Sequence, residues 1–352
     1  MKNETERNIL RTLCKNSRAT LEEVTSEAKC SKPTAIKCIR EVEKAYTLHH
    51  TIEFSPEKLE LKQFIIAVKT QKPITKEDAE QAFKSSYVPQ MIAICEGDFN
   101  LLIFAVARTS LDYIGWADAF RRNLNVWGKG PVFWKASEVF FERLGGIVLR
   151  DEVFDKLDLN EKTRELLREI NQNSRQRLNF VAKRIKVSPA AAKYLLEKTM
   201  KKGIVKRFTS VIGKRMPGFD VAFFIEKPFL PDHPERAEKT RRMYFQECSA
   251  NLTKKSRDMY FRDDGQSQLN RYQMVQEIFG SADQFNLTHF NAMDDWYVEK
   301  NKTVENFGSG RTGITSGIIV KILAGELMQR NLDVPSIYDT TLSWETLLNL
   351  KD

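Results

Sequence analysis

Apolar residues recur at helical spacing through the first fifty residues of the chain. Thr20 stands three residues before Glu23, which is the spacing of a capping box, and Ser31 can cap the helix that follows. The pattern therefore predicts three short helices with a tight turn before the last one, which is a helix-turn-helix. The residues expected to face inward are Ile9, Leu10, Leu13, Leu21, Val24, Ala28, Ala35, Ile39 and Val42.

The same pattern returns 157 residues further along the chain. At this offset Asn173-Ser174-Arg175 falls on Asn16-Ser17-Arg18, and no gap is needed between residues 7 and 44. Ser188 then caps a third helix that has Pro189 at its favoured first position. A repeat of this length predicts a second helix-turn-helix and a tandem duplication.

Between the two copies, short apolar runs alternate with segments of helical spacing. We expect strands at 62–69, 88–95, 99–107 and 132–141, and helices at 75–85 and 110–124. The order strand, helix, strand, strand, helix, strand predicts a ferredoxin-like unit, in which two helices cover one face of a sheet.

The residues after the second copy give a weaker form of the same order. We expect strands at 221–225, 258–262 and 286–298, and helices at 234–248 and 266–279. A glycine-rich hinge at 307–313, a helix at 314–329 and an amphipathic tail at 332–350 follow. The predicted fold class is α+β, with two winged helix-turn-helix domains (1–54 and 151–216) alternating with two ferredoxin-like domains (55–150 and 217–305). The second ferredoxin-like domain is expected to be degenerate, and 306–352 forms the hinge, helix and tail.

The positive charge is concentrated in one part of the chain. The net charge is +9, yet residues 161–216 contain sixteen Lys and Arg against four Glu and no Asp, so this segment carries +12 and the remainder −3. A basic excess in one small helical unit favours a polyanionic partner there, and double-stranded DNA fits a helix-turn-helix. The alternative is a solvated basic face without a partner.

Composition excludes several other classes. Five Cys and four His lack the spacing of zinc ligands, so we expect reduced thiols, no metal site and no cofactor. No apolar run of membrane-spanning length and no signal-like leader is present. We therefore expect no membrane partner and a cytoplasmic location.

Candidate DNA contacts follow from the outward positions of each third helix. In the first copy these would offer cationic contacts to phosphate or guanine and are Lys32, Thr34, Lys37 and Arg40. In the second copy the helix and the turn before it offer Lys186, Ser188, Lys193, Tyr194 and Lys198. The residues after that helix would hold phosphates and are Lys201, Lys202, Lys206 and Arg207.

The first copy, with its Asn16-Ser17-Arg18 stop, resembles the helix-turn-helix of the Lrp/AsnC (feast/famine) transcription regulators, and the second copy keeps the family's Gly203-Ile204-Val205. The resemblance implies that the following sheet domain assembles dimers and senses a small-molecule effector such as an amino acid. Gly97-Asp98-Phe99-Asn100 looks like that domain's signature, although Asn100 replaces the usual Asp. The implied effector residues are Gly97, Asp98 and Asn100. A plain hairpin would need the same residue types at Gly97 and Asp98.

The leading interpretation is a DNA-binding transcription regulator whose two heads form a pseudo-dimer within one chain, with a homodimer as a further possibility. One alternative is an enzyme, because siroheme decarboxylases share this architecture. That family carries a His-x-Tyr/Arg cluster around the second sheet strand, and this chain has no His at 88–93 or 248–251. We therefore expect no catalytic residues and no enzymatic activity. A winged-helix module that binds the transcription machinery is the third possibility.

Overall fold

The computed structural model describes residues 4–144, 146–212, 219–226, 272–280, 282, 284–290, 293–306, 313–325 and 327–328. Within them, helices and antiparallel strands combine in two helix-turn-helix heads and two four-stranded sheets. The predicted α+β fold class is confirmed. The predicted segments 234–248, 258–262 and 332–350 lie outside the described residues.

The first head has the predicted caps. Thr20 accepts a hydrogen bond from the Glu23 backbone N–H, and the Glu23 carboxylate accepts one from the Thr20 N–H, so the capping box is complete. Ser31 accepts from the Thr34 N–H and begins the third helix. The elements are α1 (Glu4–Lys15), α2 (Leu21–Ala28), α3 (Lys32–Tyr46) and the strand β1 (Leu48–Phe54).

The first sheet unit follows the predicted order closely. Thr75 and Thr109 each cap a helix through a capping box with an Asp three residues on. Its elements are β2 (Lys62–Thr70), α4 (Lys76–Lys84), β3 (Pro89–Gly97), β4 (Leu101–Ala107), α5 (Ser110–Val126) and β5 (Pro131–Leu144). The short elements β6 (Gly146–Ile147) and α6 (Asp151–Phe154) lead to the second head.

The second head has the same order of elements as the first one. Ser188 caps its third helix, with Pro189 in the first turn. The elements are α7 (Glu161–Gln172), α8 (Leu178–Arg184), α9 (Pro189–Lys201) and β7 (Val205–Ile212). The second sheet unit then comprises β8 (Phe219–Glu226), β9 (Tyr272–Gly280), β10 (Gln284–Phe290), α10 (Met293–Asn306) and β11 (Gly313–Ala324), and β12 (Leu327–Met328) pairs with β6.

Two sets of strand pairs join the halves of the chain. The wing strands β1 and β7 pair antiparallel, with His50 opposite Ser210 and Glu53 opposite Arg207. The sheets close into one eight-stranded barrel in the order β10-β8-β11-β3-β4-β2-β5-β9. Within this barrel the first sheet runs β3-β4-β2-β5 and the second β9-β10-β8-β11, so the second strand of each sheet pairs with the last strand of the other.

Side-chain alternation along the strands gives each sheet two apolar faces. The inner faces pack against each other inside the barrel, where Phe99 and Phe104 of the first sheet meet Phe224 and Phe285 of the second. The outer face of the first sheet packs under α4 and α5, and that of the second packs under α10 through Trp296. Both sheets therefore belong to one packed body.

Three elements predicted after the second head are wrong. Residues 272–280 form β9 and not the end of a helix, because they pair with β5 and β10 on both sides. The strand expected at 286–298 ends at Phe290, and α10 begins at Met293. Residues 313–324 form β11 and not a helix, since they close the barrel between β3 and β8. Among the described helices, none combines the length and the apolar character needed to span a bilayer.

Candidate functional site

The outward side of α3 presents the residues predicted to contact DNA. Lys32, Thr34, Lys37 and Arg40 are all exposed. Lys32 pairs with Glu22 at 2.7 Å, and Lys37 lies 4.0 Å from Glu41. Both are solvated pairs, which contribute little to stability and leave the lysines available to another anion.

The second head exposes most of its predicted contacts as well. The exposed set is Lys186, Ser188, Lys193, Tyr194, Lys198, Lys201, Lys202 and Lys206. The Lys198 ammonium lies 5.9 Å from the Tyr194 ring centroid, and Lys193 lies 3.9 Å from Glu197. Arg207 differs, because its guanidinium donates to the buried Glu53 carboxylate across the wing sheet. The predicted phosphate contact of Arg207 would therefore compete with this ion pair.

The heads meet at a local two-fold axis. Ser17 and Ser174, which are equivalent under the 157-residue offset, are both buried, and their hydroxyl oxygens are 2.6 Å apart. The wing strands pair in the same symmetric way, because His50 lies opposite Ser210 while the equivalent Arg207 lies opposite Glu53. Arg18 donates to the carbonyls of Ser174 and Gln176 and stacks on Phe208 at 4.7 Å, and burial lowers its pKa. The identical Asn-Ser-Arg triplets thus form part of the contact between the heads, beside the wing sheet.

A groove of about 630 Å³ opens beside this axis, between α3 and the turn that follows α7. We call it the interhead groove. It combines apolar side chains with two arginines, a glutamate and a histidine, which is the mixture common in ligand pockets. Its lining is Leu21, Ile36, Ile39, Arg40, Glu43, Leu48, His50, Asn173, Arg175 and Gln176.

His50 forms the polar centre of the interhead groove. Its Nε2 lies 3.1 Å from Glu43 Oε1, and its Nδ1 lies 2.8 Å from Ser210 Oγ. Arg175 donates to the same Glu43 oxygen at 3.1 Å. Burial lowers the pKa of His50, as does the positive charge of Arg175, while Glu43 opposes the shift. Glu43 is therefore shared by both heads.

The predicted effector residues Gly97 and Asp98 have a structural role at the seam between the two sheets. The Asp98 N–H donates to the Ser316 carbonyl at 2.9 Å, and the Ser316 N–H donates to the Asp98 carboxylate at 2.8 Å. Gly97 has φ 141°, and a Cβ there would lie 2.6 Å from the Ser316 oxygen. Glycine is required because β11 approaches its backbone so closely.

Asn100 is also engaged within the fold. Its Oδ1 accepts from the Thr70 backbone N–H at 2.9 Å, and its Nδ2 donates to the Thr70 carbonyl at 3.2 Å. The side-chain amide thus pairs with the end of β2 as a strand backbone would. The three predicted effector residues are therefore close together, and the hydrogen bonds described for Asp98 and Asn100 join neighbouring strands.

Sequence reasoning missed a polar cluster beside these residues, at the same end of the barrel. Lys135 of β5 pairs with Glu226 of β8 and donates to the Thr315 hydroxyl at 3.0 Å. Lys69 of β2 donates to the Gly97 carbonyl at 2.8 Å. We call these residues the barrel mouth. The available signal was a lysine at an inward-facing position of each strand. Lys69 is two residues from Ala67, and Lys135 is two residues from Ser137, so each shares the buried face of its strand, where lysine is unusual.

Comparison with known proteins identifies fold relatives. No family model matches this sequence, and no curated protein matches it. The crystal structure of the siroheme decarboxylase NirDL matches with a TM-score of 0.54 and 12% identity, covering 93% of this chain and 94% of that one. NirDL in complex with an iron-uroporphyrin III analogue matches with a TM-score of 0.53 and 12% identity, covering 99% and 98%.

A transcriptional regulator of Neisseria meningitidis in complex with L-methionine is a shorter match. It has a TM-score of 0.34 and 19% identity, and it covers 40% of this chain and 91% of that one.

The expectation that this chain is not an enzyme is corrected by the two long matches. They span both heads and both sheets, and the protein they describe is an enzyme. The expectation rested on the lack of a histidine at 88–93 and 248–251. Catalytic groups are set by spatial neighbours, so two sequence windows were too little to exclude an activity.

Proposed function

We propose that this protein is an enzyme that removes a carboxylate group as carbon dioxide from an iron-bearing tetrapyrrole. The observation that carries the proposal is the likeness of the whole chain, from the first head to β11, to the siroheme decarboxylase NirDL. Fold alone does not fix a function, so the substrate and the reaction are proposals for this chain.

The closed body supports this proposal. The β3–β11 and β5–β9 seams build both sheets into one barrel, and the wing sheet fixes the heads to each other. A site formed by residues from both sheets needs such a fixed arrangement.

We assign the substrate's carboxylates to the barrel mouth. Lys69 donates to a backbone carbonyl, and among the described residues no carboxylate pairs with it. Its ammonium has further donors for an incoming anion. Lys135 is less available because Glu226 already pairs with it. Lys69 is therefore the residue we expect to hold a carboxylate side chain of the tetrapyrrole.

The chemistry limits what such a lysine does. In a decarboxylation the bond between the carboxylate carbon and its neighbour breaks, and carbon dioxide leaves. The electron pair stays on the neighbouring carbon until a proton from water replaces the lost group. A cation bound to the departing carboxylate would stabilise the ground state and slow the reaction. Lys69 therefore fits a carboxylate that is retained, and it positions the substrate.

The test is a titration of the full chain with iron uroporphyrin III. We expect a saturable change in the porphyrin absorbance, and product masses that differ by loss of carbon dioxide. Lys69→Gln should weaken binding by about tenfold, as expected for one charge-assisted hydrogen bond.

Lys62→Gln is the matched control for that titration. Lys62 lies on the same strand but on the opposite face, where it pairs with Glu138 at 3.1 Å. It should leave binding unchanged. Unaltered porphyrin absorbance with the wild-type protein would refute the proposed function, and equal losses in both variants would refute the role of Lys69.

DNA binding is a second candidate activity, which the exposed lysines of the second head favour. Lys198, Lys201 and Lys202 lie at the end of α9, within the segment that carries +12. Each lysine that neutralises a phosphate releases counterions, so affinity falls steeply with salt. The effector and the homodimer implied by the regulator resemblance would belong to this activity.

Replacing Lys198, Lys201 and Lys202 with Gln should weaken binding to mixed DNA fragments. The plot of log affinity against log salt should become shallower by roughly 2–3, because each lost phosphate contact removes about 0.9 from the slope. Replacing Lys72, Lys76 and Lys84 removes the same charge from exposed positions of the first sheet unit. If both triple variants show the wild-type slope, the second head does not bind DNA through these lysines.

A further inference from the structure

We propose that the interhead groove binds a small amphipathic monocarboxylate. The site is separate from the barrel mouth and does not depend on the tetrapyrrole proposal. Its volume of about 630 Å³ falls within the range of roughly 300–1,000 Å³ typical of small-ligand pockets. The groove lies open beside the two-fold axis of the heads, so a ligand can enter without unfolding either head.

One wall of the groove is apolar and partly exposed. Ile36 lies on the third helix of the first head and is 42% exposed. Leu21 and Leu48 line the same wall and are half-buried. Covering these side chains would remove apolar surface from water, which is favourable in proportion to the area covered. The ligand therefore needs an apolar body.

The positive charge in the groove comes from two guanidinium groups. Arg40 is exposed and has no ion-pair partner among the described residues, and Arg175 is paired only with Glu43. Guanidinium donors match the geometry of a carboxylate and hold it through two parallel hydrogen bonds. The groove thus presents an anion site at the edge of an apolar wall.

The contacts of Glu43 disfavour a zwitterionic ligand. Its carboxylate is already bound by Arg175 and lies against His50. No other carboxylate lines the groove. An amino acid would have to place its ammonium beside two arginines without a free carboxylate to pair with, which is costly. A carboxylate without an ammonium group meets no such penalty.

The polar lining of the groove is not repeated at the equivalent positions of the other head. Under the 157-residue offset, Arg40, Glu43 and His50 correspond to Glu197, Met200 and Arg207. The counterpart of Arg175 is Arg18, which is folded onto the backbone of the other head. A contact needed merely to hold two similar heads together would use equivalent residues of both heads, as the Ser17–Ser174 contact does. The polar groove residues are thus placed for something other than assembly.

The test is calorimetric titration of the full chain with octanoate. We expect saturable binding, weakened about tenfold by Arg40→Gln, because one charge-assisted contact is lost. Lys37→Gln is the matched control: it removes the same charge from the same helix at an exposed position outside the groove. It should bind octanoate as the wild type does.

Leucine and inorganic phosphate complete the experiment. Both should bind more weakly than octanoate, leucine because of its ammonium and phosphate because it leaves the apolar wall uncovered. The absence of saturable octanoate binding overturns the proposal, and so does equal weakening in the two variants. Leucine binding tighter than octanoate overturns the assigned ligand class. Iron uroporphyrin III binding at the barrel mouth is scored separately with Lys69→Gln, so either proposal can fail alone.

Discussion

Replacing Phe224 with alanine is expected to lower the free energy of unfolding by about 3–5 kcal/mol. Phe224 is fully buried inside the barrel. Its ring meets Phe285 edge-on at 5.0 Å and Phe99, from the other sheet, at 5.8 Å. Removal of the ring leaves a cavity between the two sheets, and the closed barrel has little freedom to collapse around it. Urea denaturation of both proteins measures the difference.

Phe219→Ala is the control for this cavity. Phe219 lies on the same strand but on the outer face, where it is half-buried and stacks on Phe290 at 6.0 Å. Its loss should cost clearly less than that of Phe224. A Phe224 variant as stable as the Phe219 variant would contradict the view that the inner faces of the sheets form one core.

The heads were predictable because their signals are local. A capping box such as Thr20 with Glu23 fixes a helix start through hydrogen bonds between residues three apart, whatever the rest of the chain does. The first sheet unit was predicted for the same reason, since Thr75 and Thr109 begin its helices with capping boxes. The 157-residue offset then carried the assignment to the second head.

The second sheet unit was misjudged where long-range pairing decides the structure. Met274, Val275, Ile278 and Phe279 recur at helical spacing, but strands on both sides of this segment make it β9. The run that includes Ile318, Ile319 and Val320 is apolar at successive positions, which periodicity alone cannot assign. Its β-branched residues were the usable signal for a strand.

The candidate sites follow a similar division. Exposure of the α3 and α9 residues could be predicted, because it depends on the helical phase. The barrel mouth could not, since it joins Lys135 to Glu226 across 91 positions of sequence and to Thr315 across 180. The pairing of Arg207 with Glu53 was also hidden, as these residues are 154 positions apart.

The two halves of the chain differ in the wing sheet, where equivalent positions carry different residues. His50 opposite Ser210 and Arg207 opposite Glu53 are the same pair under the 157-residue offset. On one side of the axis, Arg207 and Glu53 form a partly buried ion pair. On the other side, His50 meets the Ser210 hydroxyl, so its second ring nitrogen can reach Glu43 and the ring can line the groove. The groove thus depends on His50 lying opposite the uncharged Ser210, whereas the equivalent Arg207 lies opposite the charged Glu53.

Replacing Glu53 with alanine is expected to lower the free energy of unfolding by about 2–3 kcal/mol. The Glu53 side chain is 8% exposed, and that of Arg207 is 21% exposed. Without the carboxylate, the guanidinium stays in a poorly hydrated place with its strongest acceptor removed. We take a value below that of a fully buried pair because water reaches part of Arg207. Thermal or urea denaturation at neutral pH measures the loss.

The double variant Glu53→Ala with Arg207→Met distinguishes the cost of leaving the Arg207 charge unpaired from the cost of lost packing. A methionine keeps an apolar stem of similar reach and needs no anion, so the double variant should be about 1–2 kcal/mol more stable than Glu53→Ala alone. Ser210→Ala, at the equivalent position, breaks a contact that involves no arginine and should cost about 1 kcal/mol. If the double variant is no more stable than the single one, Glu53 stabilises the wing sheet by packing and its other contacts, and the ion pair with Arg207 is not the reason for its burial.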